Sequence, residues 1–264
     1  RSRGLGDVYK RQDKWFDNNG INEPNLIQYL DLVSLGTVCD VVPLIGLNRA
    51  IVKQGLKVFK SKNNLGLKTL SDLCKIETHP NIYHLGYVLG PRINAGGRVG
   101  KSSHGANLLI NSNPKEVFKI ASELDCFNKE RKLLEEDALQ KISKKVLEQL
   151  SDPVLVLSGE NWHEGVIGIV ASRIKDKFNK PVIIISVENN VGKASARSIV
   201  GFDIGSIIIA AVQSNILIKG GGHKMAGGFT IKTENIEKFK NFIFQKFRNN
   251  VKETSKEKPL YLDC

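Results

Sequence analysis

Between Pro114 and Pro153 the chain contains no glycine or proline, and apolar residues recur at every third or fourth position. Val117, Ile120, Ala121, Leu124, Phe127, Leu134, Ala138, Ile142 and Val146, with Arg131 among them, trace one stripe of a single helix. Asn113 suits the N-cap and Pro114 the first helical position. Glu116 stands where a side chain reaches back to complete a capping box. Ser151-Asp152-Pro153 ends the pattern. Such a helix, about 37 residues and roughly 55 Å long, exceeds what one small globular unit needs. Its acidic and basic residues nearly cancel, as on a solvated connector, so the helix is expected to join two folded parts.

The part before it, residues 13–112, mixes short apolar runs with Gly and Pro. Residues 26–35 read as a helix with Leu26, Tyr29, Leu30 and Val33 on its inner face. Residues 37–44 form an apolar run broken by Asp40 and ended by Pro43, residues 48–59 return to helical spacing, and residues 89–101 read as a Gly-rich loop. After the long helix, residues 154–157 and 181–187 read as buried strands with a helix at 165–178 between them. Asn189-Asn190 is a turn signal, residues 193–198 suggest a third strand, and helices are expected at 203–212 and about 234–249. Strand–helix–strand order makes this an α/β unit. The expected division is residues 13–112, a connecting helix at 113–151, an α/β domain at 152–250, and the start of a linker at 251–264.

Charge narrows the partners. The 264 residues carry 39 Lys+Arg against 27 Asp+Glu, a formal net charge of +12 at pH 7, within an ordinary globular composition that is 41% hydrophobic. The excess of cations favours an anionic partner, nucleic acid ahead of a membrane surface. No stretch approaches the roughly 18 apolar residues of a membrane span, and no secretion signal opens the chain, so a cytoplasmic protein is expected. Cys39, Cys74, Cys126 and Cys264 form no CxxC pair, which disfavours structural zinc and fits reduced thiols. Residues 1–12, RSRGLGDVYKRQ, lack either periodicity. The stretch 6–12 looks like translated adapter read-through, so this tail is expected to be non-native and is set aside from fold reasoning.

Five short stretches carry possible chemistry. In GTVCDVVPL, Asp40 is a carboxylate within an apolar run, either a metal ligand or a helix-cap acid. In GPRINAGGR, glycines would admit a phosphate to the backbone and Arg92 and Arg98 would grip it; the plainer reading is a solvated loop. In NWHEGVIG, a helix N-terminus follows Trp162 and His163, which either stack and contact a nucleotide or serve as core and cap. In GKASARS, Ser195 and Arg197 point the same way on a strand, as a phosphate pocket or an ordinary polar face. In GGGHKMAGGF, glycines surround His223, for close approach to a ligand or as a surface hairpin.

In order and spacing, LDLVSLGTVCDVVPL, GPRINAGGR, NWHEGVIGIVASRI, GKASARS and GGGHKMAGGF resemble the RecJ family of bacterial single-stranded-DNA-specific exonucleases, in the DHH phosphoesterase superfamily. The resemblance covers about residues 26–231. It implies an α/β architecture: the C-terminal part of a DHH catalytic domain, a long connecting helix, and an α/β DHH-associated domain that binds nucleic acid. It also implies 5′→3′ hydrolysis of single-stranded DNA with manganese or magnesium. The implied metal ligand is Asp40. The implied catalytic residues are Asp40, Arg92, Asn94 and His223, and the implied nucleic-acid contacts are Arg92, Arg98, Trp162, His163, Ser195, Arg197, Ser198 and His223. Implied partners are single-stranded DNA, a single-strand-binding protein and a helicase, with a monomeric protein and no membrane.

Departures qualify the activity. The family's early Asp-rich and DHH motifs are absent, and two-metal hydrolysis needs several carboxylates around ions about 3.5–4 Å apart, which Asp40 alone does not supply. Cys39, Gly96, Lys224 and Gly227 depart from the usual residues of the matched motifs. Two further readings stand beside the exonuclease: a related phosphodiesterase of short oligonucleotides or cyclic dinucleotides, and an inactive single-strand-binding fragment.

Overall fold

The computed structural model describes residues 15, 17–20, 22, 25–61, 63–77 and 79–250. The adapter-like segment 1–12 and the expected linker 251–264, with Cys264, lie outside the described residues. The chain separates into two compact units. One comprises residues up to Asn94 and His104–Leu124; the other comprises Ala95–Ser103 and the chain from Asp125 onward.

The first unit is helical. A 3-10 turn at Leu26–Tyr29, capped by Asn25, leads into α1 (Leu30–Cys39), followed by α2 (Gly46–Lys60) and α3 (Leu65–Leu73). Asn64 caps α3, its side chain accepting from the Leu67 amide at 2.9 Å. The inner face of α1 differs from the expected one. Asp31, Ser34 and Leu35 are buried, whereas Leu26, Tyr29 and Val33 are exposed. Ser34 Oγ, within 2.7 Å of Leu30 O and 3.3 Å of Ile51 O, lies where α1 meets α2, so contact with α2 rather than apolar spacing decides which side turns inward.

The expected loop at 89–101 is also corrected. A π-helical stretch at His84–Leu89 runs directly into α4 (Gly90–Val99), and α5 (His104–Ile110) follows. Leu85, Leu89 and Ala95 are fully buried. Small residues here serve helix packing: a Cβ on Gly90 would lie 2.4 Å from Cys39 Sγ.

The long helix is α6 (Pro114–Glu148), 35 residues, and it runs through the boundary of the two units at Leu124. Asn113 caps it, accepting from the Lys115 amide at 3.0 Å. The amide of Asn113 is bound by Asn111 Oδ1 at 2.8 Å, taking the part expected of Glu116. Val117, Ile120, Ala121, Leu124, Arg131, Ala138, Ile142 and Val146 are buried as the spacing requires; Asn128 and Glu135 are buried with them.

The second unit is built on a five-stranded sheet in the order β1-β2-β3-β5-β4. Its strands are β1 (Leu155–Glu160), β2 (Val182–Glu188), β3 (Val191–Arg197), β4 (Lys219–His223) and β5 (Ala226–Lys232). β1 and β2 are parallel, joined through α7 (Glu164–Phe178), and the remaining pairs are antiparallel. Asn189 and Asn190, at φ of 49° and 61°, make the tight β2–β3 turn that their side chains favour. The run VIIISV is buried on both faces. Val182 and Ile184 join Ala138, Ile142 and Val146 of α6 and the apolar side of α7. Ile183 and Ile185 join α8 (Ile204–Gln213) and α9 (Ile236–Asn250) through Ile208, Phe239 and Ile243.

Ile142→Ala should lower stability by about 2–5 kcal/mol, because it opens a cavity in the layer under β1 and β2. Leu147→Ala, at an exposed position of the same helix, should change it by no more than about 0.5 kcal/mol. Urea unfolding of both variants checks this, and equal effects would contradict the packing described.

Candidate nucleic-acid interface

The strands β3, β5 and β4 turn one face away from the α8–α9 layer. Residues directly opposite one another share a face. Ser195 pairs with Gly228 and Gly228 with Gly221; Arg197 pairs with Ala226 and Ala226 with His223. The outer face therefore carries Lys193, Ser195 and Arg197 on β3, bare backbone or small side chains on β5, and His223 at the end of β4. With Gly97, Arg98, Glu164, Gly165, Gly168, Lys219 and Thr230, residues of this face line an open groove of about 750 Å³.

Its chemistry is cationic and hydroxylic. The Arg197 guanidinium donates from Nη1 to Ser195 Oγ at 3.0 Å and from Nε to Ser172 Oγ at 3.1 Å, which fixes its plane. Arg98 Nη1 donates to the carbonyl of Gly165 at 3.2 Å. Lys193 pairs with Glu164 at 2.8 Å, and that hydrogen bond raises the lysine above its ordinary pKa. Desolvation lowers Arg98 below the usual arginine value, with Arg131 adding repulsion and Glu135 opposing it. Arg197 is lowered too, first by desolvation and then by Arg98. Both remain cations at neutral pH, since arginine titrates so high. Like charges held together in a partly dry cleft are relieved by an anion, and two guanidiniums with a hydroxyl are the donor set that grips phosphate oxygens.

The helix α7 approaches this face closely because of its glycines. A Cβ on Gly165 would lie 2.1 Å from the backbone oxygen of Arg98. One on Gly168 would meet Arg197 Nη2 and Ser195 Oγ, each at 3.0 Å. This pair, three apart on one helix face, was the signal in NWHEGVIGIVASRI that the helix side lines the site; Glu164, Ser172, Lys193, Lys219 and Thr230 carried no comparable signal.

Of the remaining expected contacts, Trp162 and His163 take the core and cap roles, and Ser198 lies away from the face. Trp162 is 5% exposed and belongs to the core beneath β1 and β2, with Lys145 Nζ 5.5 Å from its ring centroid, so it has no open face for a base. His163 is the N-cap of α7, its Nδ1 accepting from the Gly165 amide at 3.1 Å. Ser198 is fully buried and donates its hydroxyl to the carbonyl of Phe202 at 2.5 Å, a structural role in place of nucleic-acid contact. His223 is exposed, and the Met225 amide donates to its Nδ1 at 3.4 Å.

In the first unit, Asp40 is the exposed C-cap residue of α1, its amide bonded to Gly36 O at 3.0 Å. Cys39 Sγ lies 3.5 Å from Leu85 O, so the end of α1 crosses the start of the helix that carries Arg92 and Asn94. Arg92 is half-buried and donates from Nη1 to Val88 O at 2.7 Å; Asn94 is exposed. Among the described residues, no group of three or more His, Cys, Asp or Glu is placed to hold a metal ion.

Comparison with known proteins bears on this arrangement. Residues 151–249 match the family described as the DHHA1 domain. The single-stranded-DNA-specific exonuclease RecJ of Salmonella typhimurium is 38% identical over 242 residues, and that of Escherichia coli 37% identical over 247. The chain is homologous to the RecJ exonucleases. These alignments take in 88% and 89% of this chain but 42% of each relative, so the chain spans about two-fifths of their length. Crystal structures of RecJ from Thermus thermophilus in complex with Mg2+ and with Mn2+ superpose at TM-scores of 0.76 and 0.77, with 30% and 29% identity. Each covers 89% of this chain, which amounts to 36% and 34% of theirs. The fold is thus that of RecJ DHH and DHHA1 domains, and the groove lies within the unit that carries the DHHA1 domain.

Gly165→Ala should destabilise the protein by about 1–3 kcal/mol, because the new methyl group meets backbone rather than a movable side chain. Thermal unfolding measures this. An unchanged midpoint would mean that the Arg98 segment does not rest on α7.

Proposed function

We propose that the groove holds the 5′-terminal phosphate of single-stranded DNA, and that the chain is part of a 5′→3′ exonuclease of DNA recombination and repair. The observation that carries this reading is the Arg197–Ser195 pair, braced by Ser172 and facing Arg98 in one groove. Arg197 and Ser195 bind the terminal phosphate, Arg98 neutralises the charge beside it, and His223 lies two strands away on the same face. The reaction of the whole protein is hydrolysis of a phosphodiester bond. Arg92 and Asn94 are assigned to the catalytic part, and Asp40 to its metal shell.

Manganese or magnesium would supply the activated water and the charge stabilisation of that hydrolysis. Asp40 alone does not fit a two-ion centre, and no group of three or more His, Cys, Asp or Glu among the described residues is placed to complete one. The 264-residue chain by itself is therefore assigned binding without turnover. In the whole protein, a single-strand-binding protein and a helicase are the assigned partners, in the cytoplasm, with the nuclease monomeric. No helix among the described residues is long and apolar enough to cross a membrane.

Fluorescence anisotropy with 5′-phosphorylated and 5′-hydroxyl oligonucleotides tests the phosphate assignment. Wild-type protein should prefer the phosphorylated strand, and Arg197→Ala should reduce that preference by roughly tenfold, the scale of a charged hydrogen bond. A preference unaffected by Arg197→Ala would reject the pocket. In the same buffer with manganese, the chain should release no nucleotides; steady release would reject the assignment of binding alone.

A further inference from the structure

The groove described above does not end at Gly97. A second groove of about 760 Å³ is lined by Gly97, Arg98, Leu134, Asn161, Trp162, His163, Glu164, Gly165, Ser186, Val187 and Glu188. The two share Gly97, Arg98, Glu164 and Gly165, so they meet along one low ridge. The second groove lies at the carboxyl ends of the parallel strands β1 and β2, which finish at Glu160 and Glu188. Open α/β sheets place ligands at such ends. Its polar groups suit the edge of a nucleobase. Asn161 offers an amide that both donates and accepts, and Glu188 accepts. His163 uses Nδ1 as an acceptor for the Gly165 amide, which leaves its proton on Nε2 as a donor.

Gly97 is the unexpected residue on the ridge. It sits inside α4, where glycine is less stable than alanine. A Cβ built there meets nothing within 4 Å, and its backbone needs no left-handed conformation. Nothing in the fold asks for glycine at this position. The contrast with Gly165, whose Cβ would strike backbone, is direct. A helical glycine that the fold leaves free, on the ridge between two polar grooves, fits a demand from outside the chain: something passes over it closely.

We infer that Gly97 is a saddle over which the sugar–phosphate backbone of a nucleic-acid strand passes from the phosphate groove into the second groove, where Asn161, His163 and Glu188 receive the following base. This rests on the phosphate reading of the first groove. It adds that the ligand is a polymer engaging both grooves, and it makes Gly97 a specificity-determining residue for strand length.

The test reads affinity against length. The probes are a 5′-phosphorylated deoxymononucleotide and 5′-phosphorylated oligodeoxynucleotides of increasing length, measured by calorimetry on the 264-residue chain. Wild-type protein should bind the oligonucleotides at least about tenfold more tightly than the mononucleotide, the scale of one added stacked or phosphate-bound nucleotide. Gly97→Leu should remove most of that length dependence. Gly97→Ala should melt no lower than wild type, which separates the ridge from the fold. Gly97→Leu protein that retains the full length dependence overturns the saddle while leaving the phosphate groove standing. If wild-type protein binds none of the probes, the reading of the groove fails and the saddle with it.

Discussion

A buried carboxylate holds the second unit in register. Glu135 is 1% exposed, in the middle of the apolar stripe of α6. Its oxygens meet Arg131 Nη1 at 2.7 Å and Arg173 Nε at 2.5 Å, while Asn128 accepts from the other nitrogens of Arg131 at 3.2 and 3.3 Å. A buried charge is costly unless it is paired; Arg131 both pairs with and hydrogen-bonds Glu135 Oε2 within α6, and the charge of Arg173 facing Oε1 ties α7 to α6. The consequence reaches the groove. Arg173 and the glycines that approach Arg98 and Arg197 are all on α7, so the geometry of the groove follows from where that helix is held against Glu135. One carboxylate also answers several guanidiniums, since Arg98 feels both Arg131 and Glu135. The local balance is positive.

That imbalance gives the net charge of +12 a different meaning. A polybasic tail would attract any polyanion from a distance, with an affinity that salt erases. Here the consequential cations are a few arginines in partly desolvated positions, fixed by Ser172, Ser195 and the Gly165 carbonyl. Their hydrogen bonds are already aligned, so little ordering is required when a phosphate arrives.

The sequence showed the α/β unit more clearly than the helical one, and the reason is physical. The long helix, the doubly buried run VIIISV and the Asn189-Asn190 turn each rest on a local rule: periodicity, continuous burial, and a side chain that favours positive φ. The misread elements are those where a tertiary contact outweighs the local signal. GPRINAGGR has loop composition, yet Gly90 at Cys39 and buried Ala95 make it a packed helix. The face of α1 is chosen by contact with α2, which no spacing in α1 reports. Asn128 and Glu135 interrupt an apolar stripe with polar residues because both bond the buried Arg131 of the same helix, and Arg173 of α7 adds a second charge against Glu135. In the site, the alternation that put Ser195 and Arg197 on one face was readable from strand geometry. The burial of Ser198 was not, because a serine beside a glycine-rich turn looks alike whether it faces solvent or core; for Trp162 the core was one of two readings left open, and the structure selects it.

Glycine does opposite things in the two halves of the groove, and this bears on what kind of ligand suits it. At Gly165 its small size is spent inside the protein, letting the backbone of α7 touch that of the Arg98 segment. On β5, Gly228 lines the groove, and its neighbour Gly221 on β4 lies where a Cβ would meet open space. The first kind rigidifies the walls; the second leaves backbone open at that point of the sheet. A rigid cationic wall beside open backbone suits a ligand held in this groove by its phosphate, and leaves contacts with a base to the adjoining groove.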